Sequence, residues 1–106
     1  MIINIDKKAE EIGLKSNFVK MLFDSFFDES AIILKDLQDA TLKKDFKVIE
    51  NKLHSLKGSC GNLQLNEIYE LAKLIELAAK AKRENFNYAS SVDELSKMFK
   101  GLEVAQ

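Results

Sequence analysis

A single histidine, His54, stands in the stretch LHSLKGSCGNLQL from Leu53 to Leu65, followed by Lys57, Gly58, Ser59 and Gly61. An unperturbed imidazole, with a pKa of ~6.5, is about three-quarters neutral at pH 7, so its lone pair is available as a nucleophile. Apolar residues recur at Phe46, Ile49, Leu53, Leu56, Cys60 and Leu63, the spacing of one helix face. On that helix His54 lies roughly 130° from the centre of the stripe, and is therefore exposed. Gly58 and Gly61 fall on the same outward side. Each glycine inside a helix costs about 0.5–1 kcal/mol relative to alanine. The helix is thus weakened twice on the face that carries its only histidine. What this leaves is a bare surface over which another protein's backbone, or a phosphoryl group, can approach the ring. Lys57, one turn on, can bring a permanent positive charge to the same spot.

Each residue alone has a plainer reading. His54 could be an idle surface histidine, Lys57 a snorkelling lysine, and Ser59 a hydroxyl bonding a carbonyl one turn back. The glycines could serve close helix packing, and Cys60, on the core stripe, reads as a small buried hydrophobe. The combination carries the argument. No other chemistry competes with it. No nucleophile elbow or triad-like motif frames the serines, and Lys57-Gly58-Ser59 lacks the order and upstream glycine of a phosphate-binding loop. The carboxylate pairs Glu10/Glu11 and Asp28/Glu29 read as solvated faces, and Lys43/Lys44 and Lys80/Lys82/Arg83 as solvated helix ends.

The elements that must position His54 are helices. With no proline and only four glycines, there is little turn chemistry for a β-protein. A long helix is predicted from Ser16, its N-cap, to about Ala40, with Val19, Leu22, Phe26, Ser30, Ile33 and Leu37 on one stripe. Phe18, Phe23, Phe27 and Leu34 widen that stripe, so this helix should touch neighbours on two sides. Asp45 caps the histidine helix, and Asn66 caps a third helix buried through Ile68, Leu71, Ala72, Ile75, Ala78 and Ala79. A turn at Asn85 to Asn87 leads to a last helix through Tyr88, Val92, Leu95, Phe99 and Leu102. Asp6 to Ile12 forms a short leading helix stopped by Gly13. The expected fold is all-α: an antiparallel up-down-up-down four-helix bundle with a short N-terminal helix, one domain over residues 1–106. Phe18, Phe27 and Leu34, with Ile3, Ile5, Ile12 and Leu14, are left over from the stripes. Either the leading turn buries them as a cap, or some form an exposed apolar patch beside His54.

At 106 residues and 46% hydrophobic, the chain can build a core without metal or disulfide. Sixteen basic and seventeen acidic residues give a net charge of −1, without the basic footprint expected of a nucleic-acid or membrane-surface binder. No apolar run approaches the roughly 18 residues of a membrane span, and the N-terminus lacks a signal-peptide layout. The lone cysteine fits a reducing compartment, so a cytoplasmic domain is expected, with no histidine- or thiolate-rich metal site.

His54-Ser55-Leu56-Lys57-Gly58-Ser59 resembles the signature of histidine-containing phosphotransfer (HPt) domains: His, any residue, Leu, Lys, Gly, then a small residue. Asp45-Phe46 resembles the family's start of the histidine helix, Leu71 to Lys80 its next helix, and the helix order agrees over about residues 10 to 103. One departure is Gln64, where the family usually has glycine at the exit of the histidine helix; the turn there is expected from Asn62 or Asn66. The resemblance implies that His54 is phosphorylated on Nε2, that Glu76 bonds its other ring nitrogen, and that Lys57 faces the phosphate with Gly58 as clearance. Lys73, one turn before Glu76, would add charge. Ser59 and Gly61 would lie on the approach surface.

The function so implied is a phosphorelay intermediate in two-component signalling, a monomer passing phosphoryl groups between aspartates of response-regulator receiver domains. A sensor or hybrid histidine kinase would be the upstream source, and the chain would have no kinase activity of its own. No cofactor is expected here, the Mg²⁺ belonging to the receiver. Two alternatives stand beside it: the phosphoacceptor module of a chemotaxis-like histidine kinase, and a binding-only helical adaptor in which His54 is incidental.

Overall fold

The computed structural model describes residues 1–105; the last residue of the expected domain, Gln106, lies outside the described residues. The elements in chain order are β1 (Ile2–Asn4), α1 (Ile5–Ile12), α2 (Ser16–Lys43), α3 (Phe46–Asn62), α4 (Asn66–Lys80), α5 (Tyr88–Lys100) and β2 (Glu103–Ala105). The chain is mostly helical, as its 3.6-residue periodicity predicts. A 28-residue helix at 1.5 Å per residue is about 42 Å long, so α2 alone spans the 43 Å long axis of the molecule. It packs on α3 and on α5, the two sides that its broad stripe demands, while α4 also packs on α3 and α5. The four long helices therefore close a ring around one core, with α1 laid against α2.

Core positions follow the stripes closely. Val19, Phe23 and Leu37 from α2, Ile49, Leu53, Leu56 and Cys60 from α3, Ile75 from α4 and Leu95 from α5 are all essentially inaccessible. The α2 seam runs through Phe23 instead of Leu22 and Ile33, which are only partly buried. The left-over apolar residues divide. Ile3 and Ile5 join the core, Ile12, Phe27 and Leu34 pack on it partly buried, and Leu14 and Phe18 remain exposed.

Two expected caps differ. Ser16 is the first residue of α2 instead of its cap; Lys15 takes that place without a side-chain bond. The Ser16 hydroxyl instead donates to Asp6 at 2.6 Å, tying α1 to the start of α2. Asn66 likewise sits inside α4, because Leu65 is buried in the core and occupies the capping position. Asp45 does cap α3, accepting from the Val48 N–H at 3.2 Å. The termini add what helical periodicity cannot signal: β1 and β2 pair in parallel, Ile2 opposite Glu103, the whole helical body serving as the crossover.

The exit of α3 is made by Gln64 itself, not by Asn62 or Asn66. Gln64 has φ +53°, the left-handed conformation, with its N–H on the Gly61 carbonyl and the Leu65 N–H on the Cys60 carbonyl. That is the Schellman pattern. The same pair of bonds closes α2 at Lys44 and α4 at Lys82, while at left-handed Gly13 the N–H groups of Gly13 and Leu14 both donate to the Ala9 carbonyl, so among the described residues only one of the four left-handed helix exits uses glycine. Holding glutamine left-handed costs energy that glycine does not pay. Gln64→Gly is therefore expected to raise stability by about 0.5–1 kcal/mol, read as a higher urea midpoint at unchanged slope.

Candidate functional site

α3 and α4 lie side by side, joined by the tight Gln64 turn, and this pairing builds the site. His54 on α3 is well exposed, its side chain 75% accessible. Across the seam Glu76 is 6% exposed, the one carboxylate buried among the described residues. Its Oε2 lies 2.8 Å from His54 Nδ1 and its Oε1 2.6 Å from Lys57 Nζ. One buried carboxylate thus holds both residues of the histidine motif.

The protonation states follow. Burial alone would push the Glu76 carboxyl up, but the bonds from Lys57 and His54 outweigh it and hold the carboxyl below its ordinary range. The bond from Glu76, set against partial desolvation, pushes the Lys57 ammonium up. An ionised carboxylate only accepts, so His54 Nδ1 must carry the proton it shares with Oε2. In the neutral ring the lone pair is then on Nε2, which has no hydrogen-bond partner among the described residues.

Lys57 differs from expectation in one respect: its ammonium is bound to Glu76, where the sequence suggested a free charge beside His54. Gly58 is open, a Cβ there meeting nothing within 4 Å among the described residues. A Cβ on Gly61 would meet the Tyr69 ring of α4 at 3.5 Å, an ordinary packing distance, so Gly61 sits on the flank. Ser59 turns the other way, half-buried in the shallow recess that Leu22, Ser25 and Glu29 of α2 help to line. Lys73 is exposed and bonded to neither Glu76 nor His54. Cys60 is fully buried beneath the site, its thiol pushed up to about 12 by burial, which makes it a poor thiolate nucleophile.

Two outcomes follow from this geometry. Because the Gly58 position is open and right-handed, Gly58→Ala is expected to fold normally and gain up to about 1 kcal/mol, read by urea melts. The new methyl adds bulk one turn from His54 on the same helix, so reaction of the ring with a reagent carried by a protein partner should fall while reaction with the small reagent phosphoramidate does not. The second concerns pH. Glu76 is held below its unfolded value of ~4.3, so its contribution is present above that value and lost as pH falls through the folded one. Lys57 is held above its ordinary 10.5, so its contribution persists up to that value and is lost as pH rises through the folded one. The part of the stability difference between wild type and Glu76→Gln that comes from the carboxylate should therefore be lost on acidification through the carboxylate range, seen in paired urea melts.

The fold and site together define a class: a helical domain that presents one solvent-facing imidazole backed by a buried, cation-paired carboxylate. The family model described as the Hpt domain matches residues 21–104, most of the chain, and the chain belongs to that family. The family's activity is phosphotransfer in two-component signalling, with kinases and receiver domains as its partners in general. No curated protein and no solved structure matches the chain. No helix among the described residues is long and apolar enough to cross a membrane.

Proposed function

We propose that this protein is a phosphorelay intermediate that accepts a phosphoryl group on His54 Nε2 and passes it between aspartates of receiver domains. The observation that carries the reading is the Glu76 bridge: Nδ1 is held at 2.8 Å by a carboxylate that Lys57 keeps ionised, leaving Nε2 free on an exposed ring. In the transfer, the Nε2 lone pair attacks the phosphorus of a receiver's aspartyl phosphate. The N–P bond forms as the P–O bond to the aspartate breaks, and the aspartate leaves as a carboxylate. The ring becomes a phosphoimidazolium, and Glu76 offsets its positive charge through the Nδ1–H it already holds. No proton needs to move. The reverse sequence returns the group to a second receiver.

The frame for this chemistry is an antiparallel up-down-up-down bundle, over residues 1–106 as one domain. It is supported by the closed ring of helix contacts and by the Lys52–Asp36 ion pair, which joins the early part of α3 to the later part of α2. The approach surface includes Gly58 and the exposed Leu77, next to Glu76, with Lys73 and Lys80 one turn to either side of that residue. Positive charge there complements the acidic pocket in which a receiver holds its aspartate and Mg²⁺. The chain works as a cytoplasmic monomer without cofactor or metal of its own, fed by a sensor or hybrid histidine kinase through its receiver.

The test is incubation of the protein with a receiver carrying ³²P on its aspartate. Label appearing on this chain within the lifetime of the acyl phosphate supports the relay. Stable complex formation without label transfer would leave the adaptor as the correct reading.

A further inference from the structure

The seam between α2 and α5 lies away from the α3–α4 pair that carries His54, and it is incompletely filled. Phe26 of α2 and Phe99 of α5 meet across it with ring centroids 5.3 Å apart. Beside them a groove of about 340 Å³ remains open to the surface, at the lower end of the range of small-molecule sites. Its walls include Phe27, Leu34 and Phe99, but its lining also contains two buried hydroxyls, Ser30 and Ser96, 2% and 7% exposed. Ser30 Oγ has no hydrogen-bond partner among the described residues. A buried hydroxyl left unpaired is costly, and a fully apolar seam would have been met by alanine at no such cost. Two lysines, Lys35 and Lys100, also line the groove, and neither is in an ion pair among the described residues. Lys100 is one turn beyond Ser96 on the same side of α5.

We propose that this groove is a binding site for a small amphipathic carboxylate free in solution. The carboxylate is neutralised by Lys35 and Lys100 and accepts from Ser30 Oγ once a change of the Ser30 rotamer turns that sealed hydroxyl into the groove, while its aliphatic part lies against Phe27, Leu34 and Phe99. Lysine stems long enough to follow the head group allow the charge to meet a partly buried anion without a fixed ion pair in the empty groove. The site is separate from His54, so occupancy and phosphoryl transfer can coexist.

Octanoate titrated into the ¹⁵N-labelled full chain is the test. It is expected to shift amides of residues 27–35 and 96–100 saturably, with a Kd below about 1 mM. Octan-1-ol, of equal length and uncharged, should bind at least about fivefold more weakly, and so should octanoate to the Lys35→Gln/Lys100→Gln variant. Ser30→Ala should weaken octanoate at least about threefold, and Ala31→Leu, an exposed position on the groove wall, should block it without disturbing the core. Absence of saturation up to about 10 mM, corresponding to under 3 kcal/mol of binding, would overturn the proposal. Equal binding of octan-1-ol, or shifts centred elsewhere, would overturn it as well. So would self-association that protects the same amides in the absence of octanoate, since the occupant would then be a second copy of this chain.

Discussion

His54→Gln is expected to reduce phosphoryl uptake from a phosphorylated receiver by at least about 10³-fold, the scale on which loss of a reacting nucleophile acts. The fold should survive the change. The side chain is 75% accessible and among the described residues makes one hydrogen bond, to Glu76, which a glutamine amide N–H can replace. The stability change should therefore stay within about 1 kcal/mol. Label on the wild type should be acid-labile and alkali-stable, as a phosphoramidate is. Hydroxyl-linked label, or label persisting in His54→Gln, would place the acceptor elsewhere. Receiver affinity is expected to stay within about threefold in His54→Ala, under 1 kcal/mol, because docking draws on the surrounding surface and not on the nucleophile.

Glu76→Ala should have the second-largest effect, on transfer and stability together. It removes the acceptor for Nδ1 at 2.8 Å and for Lys57 Nζ at 2.6 Å in one step. A carboxylate that orients an imidazole is worth about 10–100-fold where such pairs serve metals, and the same range is expected for transfer here. Lys57 is 21% exposed and can swing into water, so the lost bridge should cost about 1–3 kcal/mol and not more. Glu76→Gln should fall between. Its amide oxygen can accept from Nδ1–H, but its NH₂ then faces the Lys57 ammonium, donor against donor, and the charge that offsets the phosphoimidazolium is gone. The readout that a merely structural role would not move is the tautomer. Imidazole ¹⁵N shifts should report the Nδ1–H form in wild type and a loss of that bias in Glu76→Ala. An unchanged tautomer with slower transfer would assign the loss to packing.

How far the sequence reaches is visible residue by residue. The 3.6-residue stripes gave α2 through α5 their places, and Asp45 announced the start of α3, because helical periodicity and capping are local. His54, Gly58 and Lys57 were legible for the same reason: on one helix, spacing alone decides which residues share a face. The short β pair escaped because three residues are too few for a pattern and its partner lies at the opposite end of the chain, although Ile2 and Ile3 are the β-branched type that strands favour. Helix exits at Lys44, Gln64 and Lys82 carried no glycine to mark them.

The amino-acid sequence by itself determined that this is a helical protein with one exposed histidine on a cleared face, since each of those properties depends only on residues within a few turns of one another. Residue spacing did not reach the company that histidine keeps: Glu76 was named through the family resemblance, and the packing of α4 on α3 is what brings it to Nδ1. Glu76 is 22 positions away on another helix. Whether it meets Nδ1 depends on the rotation and register of α4 against α3, set by the Gln64 turn and by the burial of Leu65 and Ile75. The same packing brings Lys57 onto Glu76 and leaves Ser30 Oγ without a partner among the described residues. Spacing along a helix cannot carry that information, because the phase of one helix against another is fixed by the fit of side chains that are distant in sequence.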